Sequence, residues 1–512
     1  MKRFFSIAFL LTLFFVSCKK IGEDNIEQPT QQPALISAEK IDEQIRNTIR
    51  SMGAFDWSSA STEMLWSALQ HRDQLLSVGY KPATAINVDE SLHEINIHTS
   101  DWKAAKTLLL QQIIASEQQL NKNITINDMA LYEDEVLPVF NIVVKNMATI
   151  KMLRNSGLVR YAEPMAYEPT TDIVSAESSS GCGSNTAQSG LVAGVDYTTI
   201  VPNSKQSWNY AYHKIPNAWA KSTGGGIKIF IIDSGSEFDQ DNLGSAFNQG
   251  YSSGRTIERI VTLPRSTFLG IPTGPVETAD DACGHGTSMA GAAAAPRGID
   301  GAAVGVAYNS NLVTCRAAED VLIDASREVT GVTNAFTNAG NRADVRIISM
   351  SMGRLTSSSQ ISDAVRYANG KGKLIFCAAG TSFGWTSGWY GVIFPATMSE
   401  VSAVTGVRDN NFNDQCSACH DGSDTDFTIV MEKASNERHP LTLAMSGNVP
   451  STVGGSSVST ATAAGIAALV WSRFPSYNKT QVLNKLITTS ANYPARNGSF
   501  GWGNINADAA TN

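Results

Sequence analysis

Apolar residues along this chain fall into two regimes. Over residues 37–50 and 64–75 Ile, Leu and Met recur at helical spacing, with Ser37 placed to cap the first helix. Residues 92–97 alternate as a strand, 102–115 read as an amphipathic helix, and 139–145 and 157–163 read as further strands around a helix at 148–154. Further along, the pattern changes to uninterrupted runs. Ile229-Phe230-Ile231-Ile232 stops at Asp233, and Leu374-Ile375-Phe376 leads into Cys377. Such runs predict parallel strands covered on both faces. They alternate with small-residue helices that contain Ala292 to Ala295 and Ile466 to Trp471. The expected fold class is α/β, a parallel sheet flanked by helices, preceded by a small α+β domain.

Three positions at the ends of these elements carry chemistry. Asp233 closes an apolar strand and is followed by Ser234 and Gly235, at the sheet edge where function collects in open α/β folds. His285 lies between Gly284 and Gly286 and opens a small-residue helix. Ser457 follows Gly454 and Gly455 at the mouth of an Ala-rich helix, where free backbone N–H groups face any anion formed beside it. Each alone has an ordinary explanation: a turn cap, a structural histidine, a helix cap. Together, in the order Asp, His, Ser, they match the order of the subtilisin-like arrangement of nucleophile, base and orienting acid.

The chain resembles the subtilisin-like serine peptidase family at these points. Asp233 matches its D-[ST]-G motif, His285 its H-G-T motif and Ser457 its G-T-S-x-[AS] motif. The resemblance extends to Ser351-Met352-Gly353, similar to the substrate-binding strand, and to Ala378-Ala379-Gly380, similar to its A-A-G strand. It also covers Phe394-Pro395-Ala396 and Gly501-Trp502-Gly503, and spans roughly residues 208–510. It implies a serine endopeptidase with catalytic Asp233, His285 and Ser457. Substrate backbone would be bound by Ser351, Met352, Gly353, Ala378, Ala379 and Gly380, within a subtilisin-like fold. The chain departs from the family at Thr381, which stands where the family carries the Asn that donates to the oxyanion. The oxyanion hole is therefore expected from Thr381 and Ser457, and the competing reading is a degenerate cell-surface peptide-binding protein. The aromatic stretch Phe383 to Tyr390 would form one wall of the specificity pocket.

Lys2 and Arg3 precede an apolar stretch over residues 4–16 that is too short to span a bilayer. It ends at Ser17-Cys18, so residues 1–18 resemble a bacterial lipoprotein signal with Cys18 as the lipidated residue. Simple secretion is the alternative. Export across the inner membrane follows either way, to a cell-envelope lipoprotein held in the membrane through Cys18 or to an extracellular protein. Residues 19–36 read as a tether and 37–168 as a propeptide, whose closing Val159-Arg160-Tyr161-Ala162-Glu163-Pro164 is similar to those of subtilisin-like zymogens. Residues 169–205 would be the processing linker and mature N-terminal segment, and 206–512 the catalytic domain. The partners implied are protein or peptide substrates and the chain's own propeptide, for a monomer.

Charge and cysteines refine this picture only slightly. A formal net charge of −8 argues against a nucleic-acid partner. No cofactor is required and no metal ligand is assigned. Calcium is an optional stabiliser, with Asp421, Asp424 and Asp426 as the acids in question and Asn242 standing where relatives carry a calcium-binding Asp. With Cys18 set aside, six cysteines suit an oxidising compartment. Cys315 and Cys377 read as buried strand residues, and Cys416-Ser417-Ala418-Cys419-His420 as a local disulfide rather than a haem attachment string.

Overall fold

A computed structural model describes residues 32–169, 182, 185–268, 271–381 and 391–512. Cys18 and the aromatic stretch 383–390 lie outside the described residues, as does most of the segment 170–184.

The N-terminal unit is a four-stranded antiparallel sheet of β1 (Leu75–Tyr80), β2 (Tyr132–Glu133), β3 (Val139–Val143) and β4 (Val159–Pro164), in the order β2-β3-β1-β4. Helices α1 (Ala38–Met52), α2 (Thr62–Gln70), α3 (Ser100–Glu117) and α4 (Met147–Arg154) accompany it. The unit has its own core, built on Trp57, Leu65, Val78, Leu109, Phe140 and Ile150. One expectation is corrected here. The first strand lies at Leu75–Tyr80, and residues 92–97 carry only a short 3-10 turn, Leu92–Glu94. The helix before it stops at Gln70, and Gln74 takes a left-handed φ of 64°, which breaks the helical repeat and frees Leu75 onward to extend. Leu92 and Ile97 are buried on either side of exposed Glu94 and Asn96, and His93 packs against Gly370, so the alternation at 92–97 reflects a turn anchored at both ends.

The larger unit is a seven-stranded parallel sheet: β5 (Lys228–Asp233), β6 (Ile257–Val261), β7 (Asn311–Arg316), β8 (Val345–Met350), β9 (Leu374–Ala378), β10 (Ser402–Arg408) and β11 (Thr425–Glu432). Their order is β11-β10-β9-β8-β5-β7-β6. Strand β5 shows why its sequence is continuously apolar. Ile229 and Ile231 enter one core cluster, with Ala293 and Ile466, while Phe230 and Ile232 enter the other, with Phe336 and Ile361. Helices α5 (His285–Ala294) and α8 (Gly455–Arg473) cover the first face and pack on each other. Helices α6 (Ser326–Asn341) and α7 (Ser359–Gly370) cover the second. No helix among the described residues is long and apolar enough to cross a membrane.

The N-terminal unit docks on α7 and the segment before it. Ser77 Oγ donates to Gln360 (2.9 Å), Arg160 forks onto Asp363 (2.6 and 2.7 Å), and Glu163 accepts from the Ser359 N–H (2.5 Å) and Oγ (2.9 Å). Cys182 and Cys283 form a disulfide, as do Cys416 and Cys419, while Cys315 and Cys377 are buried thiols.

Candidate functional site

The sequence candidates converge at the carboxyl edge of the sheet. Asp233 is the last residue of β5, His285 the first of α5, and Ser457 the third of α8. Close approach of α5 to β5 depends on Gly286, where a Cβ would sit 2.3 Å from the Gly235 carbonyl oxygen. That contact brings His285 Nδ1 within 2.7 Å of Asp233 Oδ1. Asp233 Oδ1 also accepts from the Ser234 N–H (2.9 Å), whereas Oδ2 is buried and accepts no hydrogen bond among the described residues. Part of the carboxylate charge is thus left for the imidazole to compensate. Burial disfavours protonation of His285, but the Asp233 charge and hydrogen bond outweigh it and raise its pKa above the ordinary 6.5. With Nδ1–H directed at the carboxylate, Nε2 is the ring nitrogen left to accept a proton.

Ser457 is partly exposed, and its Oγ makes no hydrogen bond among the described residues. Its carbonyl accepts from Ser351 Oγ at 3.0 Å, which ties the segment after β8 to the serine turn. Thr381 lies against the same turn. Its Oγ1 accepts from the Ser456 N–H (3.2 Å) and lies 2.8 Å from Ser456 Oγ, which in turn accepts from the Gly380 N–H (3.2 Å). If Ser456 donates in the hydroxyl pair, the Thr381 proton is free to point outward, so Ser456 decides whether Thr381 is a donor to the site. Gly455, at φ 80°, makes room for this contact, since a Cβ there would lie 2.8 Å from Thr381 Oγ1.

The other candidate substrate residues are held by protein partners. Ala378 is paired in β9, the Ala379 N–H donates to Val404 O and its carbonyl accepts from the Ile393 N–H. The Gly380 carbonyl accepts from the His420 N–H, and Met352 is buried. Gly353 has both main-chain groups paired, to Val321 and Ile323.

Sequence reasoning missed Asp281. It is fully buried, and its carboxylate accepts from Ser234 Oγ (2.7 Å), the Gly284 N–H (2.8 Å), and the Thr287 N–H and Oγ1 (both 2.7 Å). One side chain thus ties the turn after β5 to the turn that presents His285. Its signal was an Asp placed to cap the first turn of a helix that opens on the histidine. Asn185 was also missed: it is buried, donates to Cys283 O (3.3 Å) and accepts from Ser288 Oγ (3.2 Å).

Among the described residues no three His, Cys, Asp or Glu side chains converge as metal ligands. Asn242 Oδ1 is occupied by Gln249 (2.7 Å), and Asp426 by Arg496 (3.1 Å) and the Ala403 N–H (3.1 Å).

Fold and site geometry define an α/β protein with an Asp–His pair and a helix-borne serine at one sheet edge. Residues 224–503 match the model of the subtilase family, Peptidase_S8, and the chain belongs to that family. It is 26% identical over 306 residues to the subtilisin of Bacillus sp. (strain TA39), covering 57% of this chain and 67% of that one. It is 27% identical over 308 residues to subtilisin Savinase of Lederbergia lenta, covering 59% and 98%. Among solved structures it is similar to the MycP3 protease from the type VII (ESX-3) secretion system, with 22% identity, a TM-score of 0.48, and coverage of 65% of this chain and 92% of that one.

Proposed function

We propose that the protein is a serine endopeptidase that cuts peptide bonds through Asp233, His285 and Ser457 and is made as a zymogen that removes its own N-terminal unit. The observation that carries this reading is the 2.7 Å contact between His285 Nδ1 and Asp233 Oδ1, which leaves His285 Nε2 as the base. Ser457 Oγ attacks the scissile carbonyl carbon while His285 Nε2 takes its proton, and the carbonyl oxygen becomes an oxyanion. The Ser457 N–H at the start of α8 and the Thr381 hydroxyl donate to that oxyanion. Collapse breaks the C–N bond, His285 passes its proton to the leaving amine, and an acyl group remains on Ser457. Water, deprotonated by His285, then attacks the acyl carbon, releasing the acid and restoring Ser457. Asp233 holds the imidazole in one tautomer and stabilises its charged form. The open Ser457 Oγ is compatible with a contact to His285 that tightens only when substrate is bound.

Zymogen processing is supported by the position of residues 169 and 182. Glu168 is bonded to Leu355 and Thr356, close after the substrate strand, and Cys182 is bonded to Cys283, two residues before His285. Glu168 and Cys182 are thus both anchored to the larger unit. From Asn185 onward the chain is already built into the larger unit, so the processing bond belongs between residues 169 and 182. We further read residues 1–18 as an export signal, with Cys18 as the lipid anchor of an envelope protein.

A fluorophosphonate probe, which labels activated serines, tests the nucleophile. The label is expected on the peptide containing Ser457 and absent from Ser457→Ala. Labelling elsewhere, or equal labelling of the variant, would refute the assignment.

A further inference from the structure

Recognition of a peptide by main-chain pairing needs a strand edge with free N–H and C=O groups. Gly353 is among the residues expected to offer them, and in this structure both of its groups are taken. Its N–H donates to Val321 O (3.1 Å) and its C=O accepts from the Ile323 N–H (3.0 Å), in a parallel bridge between Leu322 and Gly353. The segment through residues 321–323 thus occupies the edge that a bound peptide would use. Ile323 and Met352 are buried in one apolar cluster, which Met165 of the N-terminal unit joins.

The residue after Gly353 is held from the other side. Arg354 is 1% exposed. It donates through Nε to Glu168 Oε1 (2.9 Å), through Nη1 to Met165 O (3.0 Å) and through Nη2 to Tyr167 O (3.3 Å). Glu168 also accepts from the Leu355 N–H (2.8 Å), the Thr356 N–H (3.2 Å) and Thr356 Oγ1. Leu355 packs against the core of the N-terminal unit.

We propose that the N-terminal unit keeps the enzyme latent by fixing Arg354, which holds the substrate groove shut by direct pairing of Gly353 with Val321 and Ile323. This rests on the peptidase reading above. When the unit leaves, Arg354 loses a carboxylate and two carbonyls together. Thr356 Oγ1 (3.0 Å) remains as its one side-chain partner among the described residues, and because a guanidinium does not deprotonate and a buried charge with so little compensation is strongly unfavourable, the side chain moves to water. Because Leu355 and Thr356 lose their main-chain bonds to Glu168 at the same time, the segment after Gly353 is left with the bond from the Arg354 N–H to Phe394 O (3.0 Å), and the bridge to Val321 and Ile323 loosens and frees the edge for a peptide. Latency then comes from the groove being closed by its own walls, whatever else lies across it.

Amide hydrogen exchange read by mass spectrometry tests this on three full-length proteins: Ser457→Ala, Ser457→Ala/Glu168→Ala and Ser457→Ala/Glu168→Gln. In the first, peptides covering residues 320–325 and 350–356 are expected to exchange slowly. In the Glu168→Ala protein both should exchange at least tenfold faster, and in the Glu168→Gln protein at least threefold faster, while strands 228–233 and 374–378 stay unchanged. If Glu168→Ala also loses protection in those strands it has misfolded, and Glu168→Gln decides. Fast exchange in the first protein, or equal exchange at 320–325 in all correctly folded ones, would overturn the proposal. All three lack the serine, so exchange reports closure independently of activity: these changes together with no fluorophosphonate labelling of the serine-containing protein would keep the closure and refute the peptidase reading, whereas labelling of Ser457 without these changes would do the opposite.

Discussion

Docking of the N-terminal unit should weaken as pH rises from 5 to 8, and Glu163 is the residue that sets much of the slope. It ends β4, is 3% exposed, and faces Ser359 at the start of α7. Burial pushes its carboxyl up to about 7 from the ordinary 4.5, against the opposing effect of the Ser359 N–H and hydroxyl. A group whose pKa is higher when docked holds its proton there and gives it up when free. The stabilisation is therefore complete below 4.5 and is lost as pH climbs through 7. At about 1.4 kcal/mol per pH unit across that interval, the loss is at most about 3.5 kcal/mol. The assay is urea unfolding of full-length Ser457→Ala at pH 5 to 8, followed by fluorescence of the buried Trp57 and Trp66. The first transition should move to lower urea as pH rises. Glu163→Gln, neutral throughout, should remove much of that dependence and leave the part due to Glu168, whose carboxyl is also raised by burial. Identical slopes for the two proteins, or stability that rises with pH, would refute the reasoning.

Other expectations follow from the same geometry. The His285 ring should titrate above 6.5 in Ser457→Ala when followed by NMR, so the acid limb of peptidase activity should lie above 6.5, with activity appearing as pH rises; Asp233→Asn leaves burial opposed only by the weaker Asp281 and Asp320 charges and should move the titration down. Thr381→Val should lower kcat by roughly 10²–10³ in a peptide-hydrolysis assay if its hydroxyl donates to the oxyanion, and Thr381→Asn should raise it above wild type. No change in either would mean that another donor fills the hole. Asp281→Ala leaves the Thr287 N–H and Oγ1 short of an acceptor, while Ser234 Oγ keeps Asp233 Oδ1 (3.3 Å) and the Gly284 N–H keeps the residue 281 carbonyl (3.1 Å); at about 1–3 kcal/mol per buried unsatisfied donor, a stability loss of about 2 kcal/mol or more is expected from urea midpoints. A loss under about 1 kcal/mol would place the turn's stability elsewhere.

The candidate site was legible where chemistry and backbone geometry constrain the same few residues. Asp233 ends a strand that must be apolar on both faces, and His285 is followed by a glycine that cannot be replaced without meeting Gly235. These constraints are local and leave a local mark. Strand β1 was misplaced because its boundary is set by a left-handed residue at Gln74, which composition does not announce. Asn185 and the Cys182–Cys283 pair were illegible because their partners are distant in sequence, and Asp281 was legible only as a helix cap, its tie to Ser234 being hidden by distance. The pairing of Gly353 with Val321 and Ile323 was hidden for the same reason. A sequence shows that a strand edge is suited to a peptide, and only the fold shows that the edge is taken.

The central claim is that Ser457 is the nucleophile of a self-processing peptidase. Its most direct test is the intact mass of protein expressed from residue 19 onward, as wild type and as Ser457→Ala. A wild-type fragment that begins between residues 170 and 182 and is absent from the variant is the expected result. Two equal full-length masses, with the fold intact in both, would contradict it.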